Sequence, residues 1–192
     1  MSTTRLLVLG VVAGRDTAHG YAIHHELLSW NAQEWANVKW GSIYHALRQL
    51  TKEGKLEAVS GEDPTGRTDY RITPKGRAEF LELLRGALSS AGPHADLLSA
   101  GLAFMAALPR SEVIELLERR CGALEKERDD IAPVVGVADG WETPGTEHVP
   151  ELFHLWYSNA DHALTWTRGL IERLRAGAYT MADELTGETR PR

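Results

Sequence analysis

The stretch that decides the fold is Lys39-Trp40-Gly41-Ser42-Ile43-Tyr44-His45-Ala46-Leu47-Arg48-Gln49-Leu50-Thr51-Lys52-Glu53 (residues 39–53), followed by Gly54. Ile43, Leu47 and Leu50 recur at the spacing of one helical face, which predicts an amphipathic helix of about 14 residues. The side chains that point away from this apolar stripe are donors and cations, namely His45, Arg48, Gln49 and Lys52, with Tyr44 on the flank. Such a front suits a helix in a DNA major groove. Many surface helices also have a polar face. The neighbouring elements must therefore show whether this is an ordinary surface helix or a DNA-recognition helix.

Two further helices are predicted before this stretch. Residues 4–13 are apolar almost all round, which indicates a buried helix. A second helix is expected from His19 to Trp30, followed by a connection over residues 31–39 in which Asn37 offers an N-cap oxygen.

After Gly54 the apolar period changes from that of a helix to that of a strand. Residues 55–60 and 68–73 alternate loosely on either side of the turn-forming residues 61–66, which predicts a hairpin with a polar tip. Thr73-Pro74 then starts another helix, which extends to about Leu88. Three helices, a hairpin and a helix are the element order of a winged helix-turn-helix domain. Arg67, Arg71 and Lys75 lie where such a wing would present cations to phosphates.

Three blocks of residues carry a family resemblance. They are Gly20-Tyr21, then Gly41-Ser42-Ile43-Tyr44-x-x-Leu47-x-x-Leu50-x-x-x-Gly54-x-Leu56, and Gly66-Arg67-x-x-Tyr70-x-Ile72-Thr73-x-x-Gly76. Together they resemble the winged-helix domain of PadR-like transcriptional regulators over residues 5–88. Lys39-Trp40 differ from the Ser-Pro helix start that is frequent in the family, and His45 stands where Pro is common.

The resemblance implies a homodimeric, repressor-type regulator whose partner is double-stranded DNA. It also implies that Tyr21 and Tyr44 approach the DNA backbone and that the wing reaches the adjacent minor groove. We predict base-edge or nearby phosphate contacts for Ser42, His45, Arg48 and Gln49. Backbone contacts are predicted for Tyr21, Lys39, Tyr44, Arg67, Arg71 and Lys75.

The second half of the chain is predicted to be helical. Small residues at 86–93 mark a junction, helices follow over 97–108 and 111–131, and residues 132–147 are predicted to be a long loop. The expected organisation is a mainly α chain with an α+β winged-helix domain (1–90), a C-terminal helical dimerisation domain (91–182) and a disordered tail (183–192).

The last predicted helix, residues 149–176, has two apolar edges. The first is a coiled-coil-like seam predicted to take part in dimerisation, made of Phe153, Trp156, Ala160, Ala163, Thr167, Leu170 and Leu174. The second consists of Leu152, Leu155, Leu164, Trp166 and Ile171. Two edges indicate packing on the same chain and on another copy. Trp156 and Trp166 could also line a pocket for a small aromatic or cationic effector, although plain packing is an open alternative.

Composition limits the remaining functions. The net charge is −6, but residues 1–90 hold 11 Lys/Arg against 10 Asp/Glu, so the acidic excess lies in the second half. One cysteine, Cys121, excludes an internal disulfide and is compatible with the cytoplasm. The sequence shows no catalytic motif, metal-ligand spacing or membrane-spanning run, so we expect no enzyme activity, cofactor, metal or membrane association. A winged helix that binds proteins instead of DNA is the main alternative, and a small helical-bundle enzyme is the other.

Overall fold

The computed structural model describes residues 2–15, 17–59, 68–92, 95–140 and 144–184. They form two compact units, one of Met1–Ala87 with His94–Met105 and the other of Leu88–Pro93 with Ala106–Arg192. The described elements are, in order, α1 (Thr3–Ala13), β1 (Ala18–His19), α2 (Gly20–Ser29), α3 (Ala32–Ala36), α4 (Trp40–Lys52), β2 (Leu56–Val59), β3 (Asp69–Ile72), α5 (Pro74–Ser89), α6 (Ala95–Phe104), α7 (Arg110–Ala138) and α8 (Pro150–Arg175). Within these residues no helix combines the length and apolar character needed to cross a bilayer.

Helix α1 lies at the centre of the N-terminal unit. The side chains of Leu6, Leu7, Val8, Leu9, Val11 and Val12 are all at most 2% exposed. A helix that is apolar on every side must be covered on every side. The predicted buried helix over residues 4–13 is therefore confirmed.

The connection between α2 and α4 contains a helix that the sequence pattern did not predict. Residues 31–39 were expected to be irregular, but Ala32–Ala36 form the short helix α3. Asn31 and Asn37 flank it in the left-handed conformation, with φ of 55° and 49°. Asn tolerates this conformation better than other residues with a side chain, and the two turns isolate one helical turn between them.

The N-terminal unit contains a small antiparallel sheet. Strand β3 lies between β2 and β1, with Ala58 opposite Tyr70 in one pairing and Ala18 opposite Tyr70 in the other. The strands of the predicted hairpin are therefore present, whereas β1 is an additional strand of two residues. The predicted tip at residues 61–66 lies outside the described residues.

Helix α5 begins as the Thr-Pro sequence predicts. The Thr73 hydroxyl accepts a hydrogen bond from the Gly76 N–H at 3.1 Å and donates to the Gly54 carbonyl at 2.8 Å. Gly76 packs so closely on the Lys55 carbonyl that no Cβ would fit. The start of α5 is thus fixed against the beginning of β2.

Helix α6 belongs to the N-terminal unit, so the predicted boundary at residue 90 requires correction. The Phe104 ring lies edge-on to Trp30 and Phe80, at centroid distances of 5.5 and 5.6 Å. The Thr3 hydroxyl donates to Asp96 at 2.6 Å. These contacts are made with residues distant in sequence, and for that reason the small-residue junction before α6 gave a misleading boundary.

The C-terminal unit is built on the antiparallel pair α7 and α8. Paired charges show the register: Glu125 with Arg168 at 2.5 Å, and Glu118 with Arg175 at 2.7 Å. Helix α7 extends through Pro133 to Ala138, so the predicted loop over residues 132–147 is wrong for its first seven residues. Ala138 is fully buried, which favours the helical continuation despite the proline.

The segment after α8 is tied to the start of α7 by Arg110. Its guanidinium donates to the carbonyls of Leu174 and Ala178 at 2.8 Å and pairs with Glu184 at 2.7 Å. The predicted disordered tail therefore does not include Asp183 and Glu184. Residues 185–192 lie outside the described residues.

Candidate nucleic-acid interface

Helix α4 has one fully buried face and one exposed face. Ile43, Leu47 and Leu50 are 0% exposed and anchor the helix in the N-terminal unit. The residues that the sequence pattern placed on the front, His45, Arg48, Gln49 and Lys52, are all exposed. Packing therefore leaves a row of hydrogen-bonding and cationic groups available along about two helical turns.

The start of α4 is capped by a residue that had been predicted to contact DNA. The Ser42 hydroxyl accepts a hydrogen bond from the Lys39 N–H at 3.0 Å and donates to the Lys39 carbonyl at 2.6 Å. The hydroxyl donor of Ser42, predicted to make a base-edge or nearby phosphate contact, is thus used at the helix start in the free chain. Asn37, predicted as the cap, instead ends α3.

Aromatic side chains from α2 and α4 cluster beside this helix start. Trp40 lies edge-on to His24 at a centroid distance of 4.3 Å and tilted against Tyr44 at 5.1 Å. Tyr21 is 6.2 Å from Trp40 and is 60% exposed. At Gly20 an added Cβ would come within 2.7 Å of the Tyr44 ring, so the Gly-Tyr pair lets α2 and α4 approach closely. The two predicted backbone-contacting tyrosines therefore share one surface.

Some predicted contact residues already have partners in the free chain. Arg71 pairs with Glu57 at 3.1 Å, Lys75 donates to the Glu53 carbonyl at 3.1 Å, and Gln49 donates to the Glu53 carboxylate at 2.8 Å. Arg48 and Lys52 form no ion pair with any residue in the described ranges. The Arg71 pair is half exposed, so phosphate can compete for it at small cost. Arg67, another predicted contact, lies outside the described residues.

Two acids and two bases form a network behind α4. Arg5 and Lys55 both pair with Glu53 and with Glu79, and the Lys55–Glu53 distance is 3.1 Å. Hydrogen bonds from Arg5, Gln49 and Lys55 lower the pKa of Glu53 to about 2. Arg5 and Lys55 neutralise the two carboxylates. The negative charges of Glu53 and Glu79 therefore do not cancel the positive charge of Arg48 and Lys52 on the exposed face of α4. Sequence reasoning missed this network, since its members come from α1, from the connection between α4 and β2, and from α5.

Tyr70 lies on β3 and is partly buried. Burial and the neighbouring Tyr44 raise the pKa of the Tyr70 phenol, while Arg48 acts in the opposite direction. The phenol therefore remains protonated near neutral pH and can donate a hydrogen bond.

In the C-terminal unit, the two apolar edges of α8 have different surroundings. Four residues of the predicted dimerisation seam are buried within the chain, where α8 packs on α7: Ala160, Thr167, Leu170 and Leu174. Phe153 and Ala163 are partly exposed, and Trp156 is 49% exposed. Assigning these four buried residues to a partner surface is therefore corrected. From the second edge, Leu152, Leu155 and Trp166 remain 47%, 55% and 38% exposed.

The predicted effector tryptophans lie far apart within one chain. Trp156 and Trp166 are ten residues apart on α8, about 15 Å along the helix axis. An open groove of about 270 Å³ lies elsewhere in this unit and is lined by Glu118, Cys121, Gly122, Glu125, Arg168, Ile171, Glu172 and Arg175. Burial raises the pKa of the Cys121 thiol, which disfavours the reactive thiolate. The described residues contain no group of three or more His, Cys, Asp or Glu arranged to hold a metal.

The N-terminal unit has the three helices, the exposed α4 and the hairpin strands of a winged helix-turn-helix, a class of DNA-binding domain. The model of the transcriptional regulator PadR-like family matches residues 8–82. This match covers 75 of the 192 residues, so it is the N-terminal unit that is similar to the PadR-like family of transcriptional regulators. The predicted resemblance and winged-helix fold are thereby confirmed. A search among curated proteins gave no match.

Solved structures with a similar fold include three from Bacillus species. Bacillus subtilis PadR in complex with operator DNA is 18% identical, with 88% of this chain and 98% of that chain covered and a TM-score of 0.38. The same protein in complex with p-coumaric acid is 15% identical, with 90% and 96% covered and a TM-score of 0.39. A PadR-like regulator from Bacillus cereus is 19% identical, with 91% and 99% covered and a TM-score of 0.36. The similarity to the PadR-like family rests on the sequence match over residues 8–82.

Proposed function

We propose that the protein is a homodimeric repressor that binds a specific double-stranded DNA sequence in the cytoplasm. The observation that carries this proposal is α4, whose apolar face is fully buried and whose opposite face is an exposed row of donors and cations. Each copy would insert α4 into one major groove, with half-sites about one helical turn of DNA apart.

The contacts are proposed to divide between base edges and phosphates. His45, Arg48 and Gln49 have the exposure and the donors needed to read base edges. Tyr21, Lys39, Tyr44, Arg67, Arg71 and Lys75 would contact the backbone, and Ser42 would hold the helix start beside it. We expect Arg67→Ala to weaken binding to all sequences and to reduce the salt dependence, whereas His45→Ala changes base preference. Salt titrations on matched duplexes that gave the reverse pattern would contradict this division.

A second copy is required by the charge balance. Residues 1–90 carry a net charge of only +1, so one copy offers modest attraction to phosphates. The exposed apolar edge of α8, with Leu152 and Leu155 about half exposed, supports a helix-to-helix contact with another copy. Dimerisation would bring two α4 helices to one operator and multiply their affinities.

Release from DNA by a small aromatic or cationic effector is part of the proposal. Trp156 is 49% exposed and lies edge-on to Phe153 at 5.4 Å, and Trp166 is 38% exposed. Exposed rings can take up a flat apolar compound or a cation. The test is a tryptophan-fluorescence titration with compounds that release DNA. No change in emission with any of them would count against an effector at these rings.

Binding to another protein is the competing function, favoured by the acidic net charge of −6. A gel-shift experiment with DNA from upstream of the chain's own gene separates the two. A DNA-binding repressor gives a complex that survives competition by unrelated DNA and weakens steeply with salt. An interaction module gives no such complex at any salt concentration.

A further inference from the structure

Trp40 is the first residue of α4 and keeps 43% of its surface exposed. Its ring is held by neighbours on two helices, with centroids at 4.3 Å to His24, 5.1 Å to Tyr44 and 6.2 Å to Tyr21. An indole fixed on several sides loses little conformational freedom when it meets another surface. The exposed part of Trp40 is therefore a preorganised apolar contact.

The surroundings of Trp40 favour the approach of nucleic acid. Beside it, Gly41 is exposed, and a Cβ built there would meet no atom within 4 Å. Lys39 precedes it and is exposed. The start of α4 thus combines open space with a cation.

The chemistry of the indole limits what it can read. Apart from one N–H donor, its exposed surface is hydrocarbon, and the major groove offers a single apolar feature, the C5 methyl group of thymine. Residues at the start of a recognition helix are those that reach base edges. We propose that Trp40 contacts a thymine methyl group and selects thymine over cytosine at one position of each half-site. This inference rests on the proposed insertion of α4 into the groove.

The test uses a duplex obtained by selecting the tightest binders from a random oligonucleotide pool. Each thymine is replaced in turn by deoxyuridine, which removes only the C5 methyl group, and affinities are measured by fluorescence anisotropy. For the unmodified protein we expect one replacement per half-site to weaken binding about fourfold, the value of one buried methyl-sized group. For Trp40→Ala the same replacement should have no effect, while Trp40→Phe should keep part of it.

Tyr179→Ala is the matched control, because it removes another exposed aromatic ring, beyond the end of α8 in the other unit, and should leave the deoxyuridine profile unchanged. Thermal unfolding confirms that each variant is folded. The inference is overturned if deoxyuridine weakens binding equally in the unmodified protein and in Trp40→Ala. It is also overturned if no replacement weakens binding of the unmodified protein. In both cases the proposed function stands. Failure of the unmodified protein to select any duplex overturns both.

Discussion

At the scale of single residues, Gly76 is a position that tolerates no side chain. A Cβ there would collide with the Lys55 carbonyl, which is backbone and cannot move without shifting β2. We expect Gly76→Ala to lower the free energy of unfolding by about 1–3 kcal/mol. Gly41→Ala is the control, since a Cβ there meets nothing and alanine favours the helix. Urea unfolding of both variants checks this, and equal stabilities would contradict the packing described.

Glu53 makes stability depend on acidity in a defined range. Its pKa is about 2 in the folded chain, against 4.5 as the ordinary value, because Arg5, Gln49 and Lys55 bond to its charged form. A depressed carboxyl pKa stabilises the fold above pH 4.5, and this contribution is lost as the pH falls towards 2. The difference in unfolding free energy between the unmodified protein and Glu53→Gln should therefore shrink over that range.

Urea unfolding at several pH values between 7 and 2 measures this difference. Glu57→Gln serves as control, because the half-exposed pair of Glu57 with Arg71 should contribute less than about 1 kcal/mol. A Glu53→Gln difference that stays constant across the range would show that the network around Glu53 is not formed.

At the scale of elements, the two edges of α8 differ in exposure. The seam through Thr167 and Leu170 is covered by α7, and the edge with Leu152, Leu155 and Trp166 is exposed. If that exposed edge is the dimer contact, Leu155→Glu places a charge in it and should convert the protein to monomers without changing helix content.

Sedimentation equilibrium tests this expectation. The unmodified protein should have twice the 21.2 kDa mass of one chain, and Leu155→Glu should approach the single mass. Thr165→Glu, on an exposed polar position of the same helix, should remain a dimer. If the Leu155→Glu protein is still dimeric, the dimer contact does not lie on this edge.

Elements with a strong apolar period could be predicted from the sequence, and elements set by distant contacts could not. Helices α1, α4 and α8 follow their patterns closely because one set of side chains has to be buried. Strand β1 depends on a partner strand some 50 residues later, and α3 depends on left-handed turns at two asparagines. Helix α7 continues past Pro133 although proline disfavours the interior of a helix. The burial of Ala138 favours this continuation.

At the scale of the whole molecule, the exposed front of α4 was predictable and its surroundings were not. Helical geometry alone places His45 and Arg48 opposite Ile43 and Leu47. The capping role of Ser42 and the ring contacts of Trp40 depend on how the helix start meets the rest of the unit, which spacing does not encode. The burial of four residues of the predicted seam within the chain could not be predicted, because two apolar edges on one helix look alike until one of them is covered.

The central claim is that α4 reads DNA sequence, and the ratio of affinities for a selected duplex and its scrambled counterpart measures this most directly. His45→Ala with Arg48→Ala should lower that ratio roughly tenfold or more, because contacts to base edges are lost. Arg119→Ala, which removes an exposed cation from α7, should leave it unchanged. A ratio that is the same in the unmodified protein and the double variant would contradict the claim that α4 is the recognition helix.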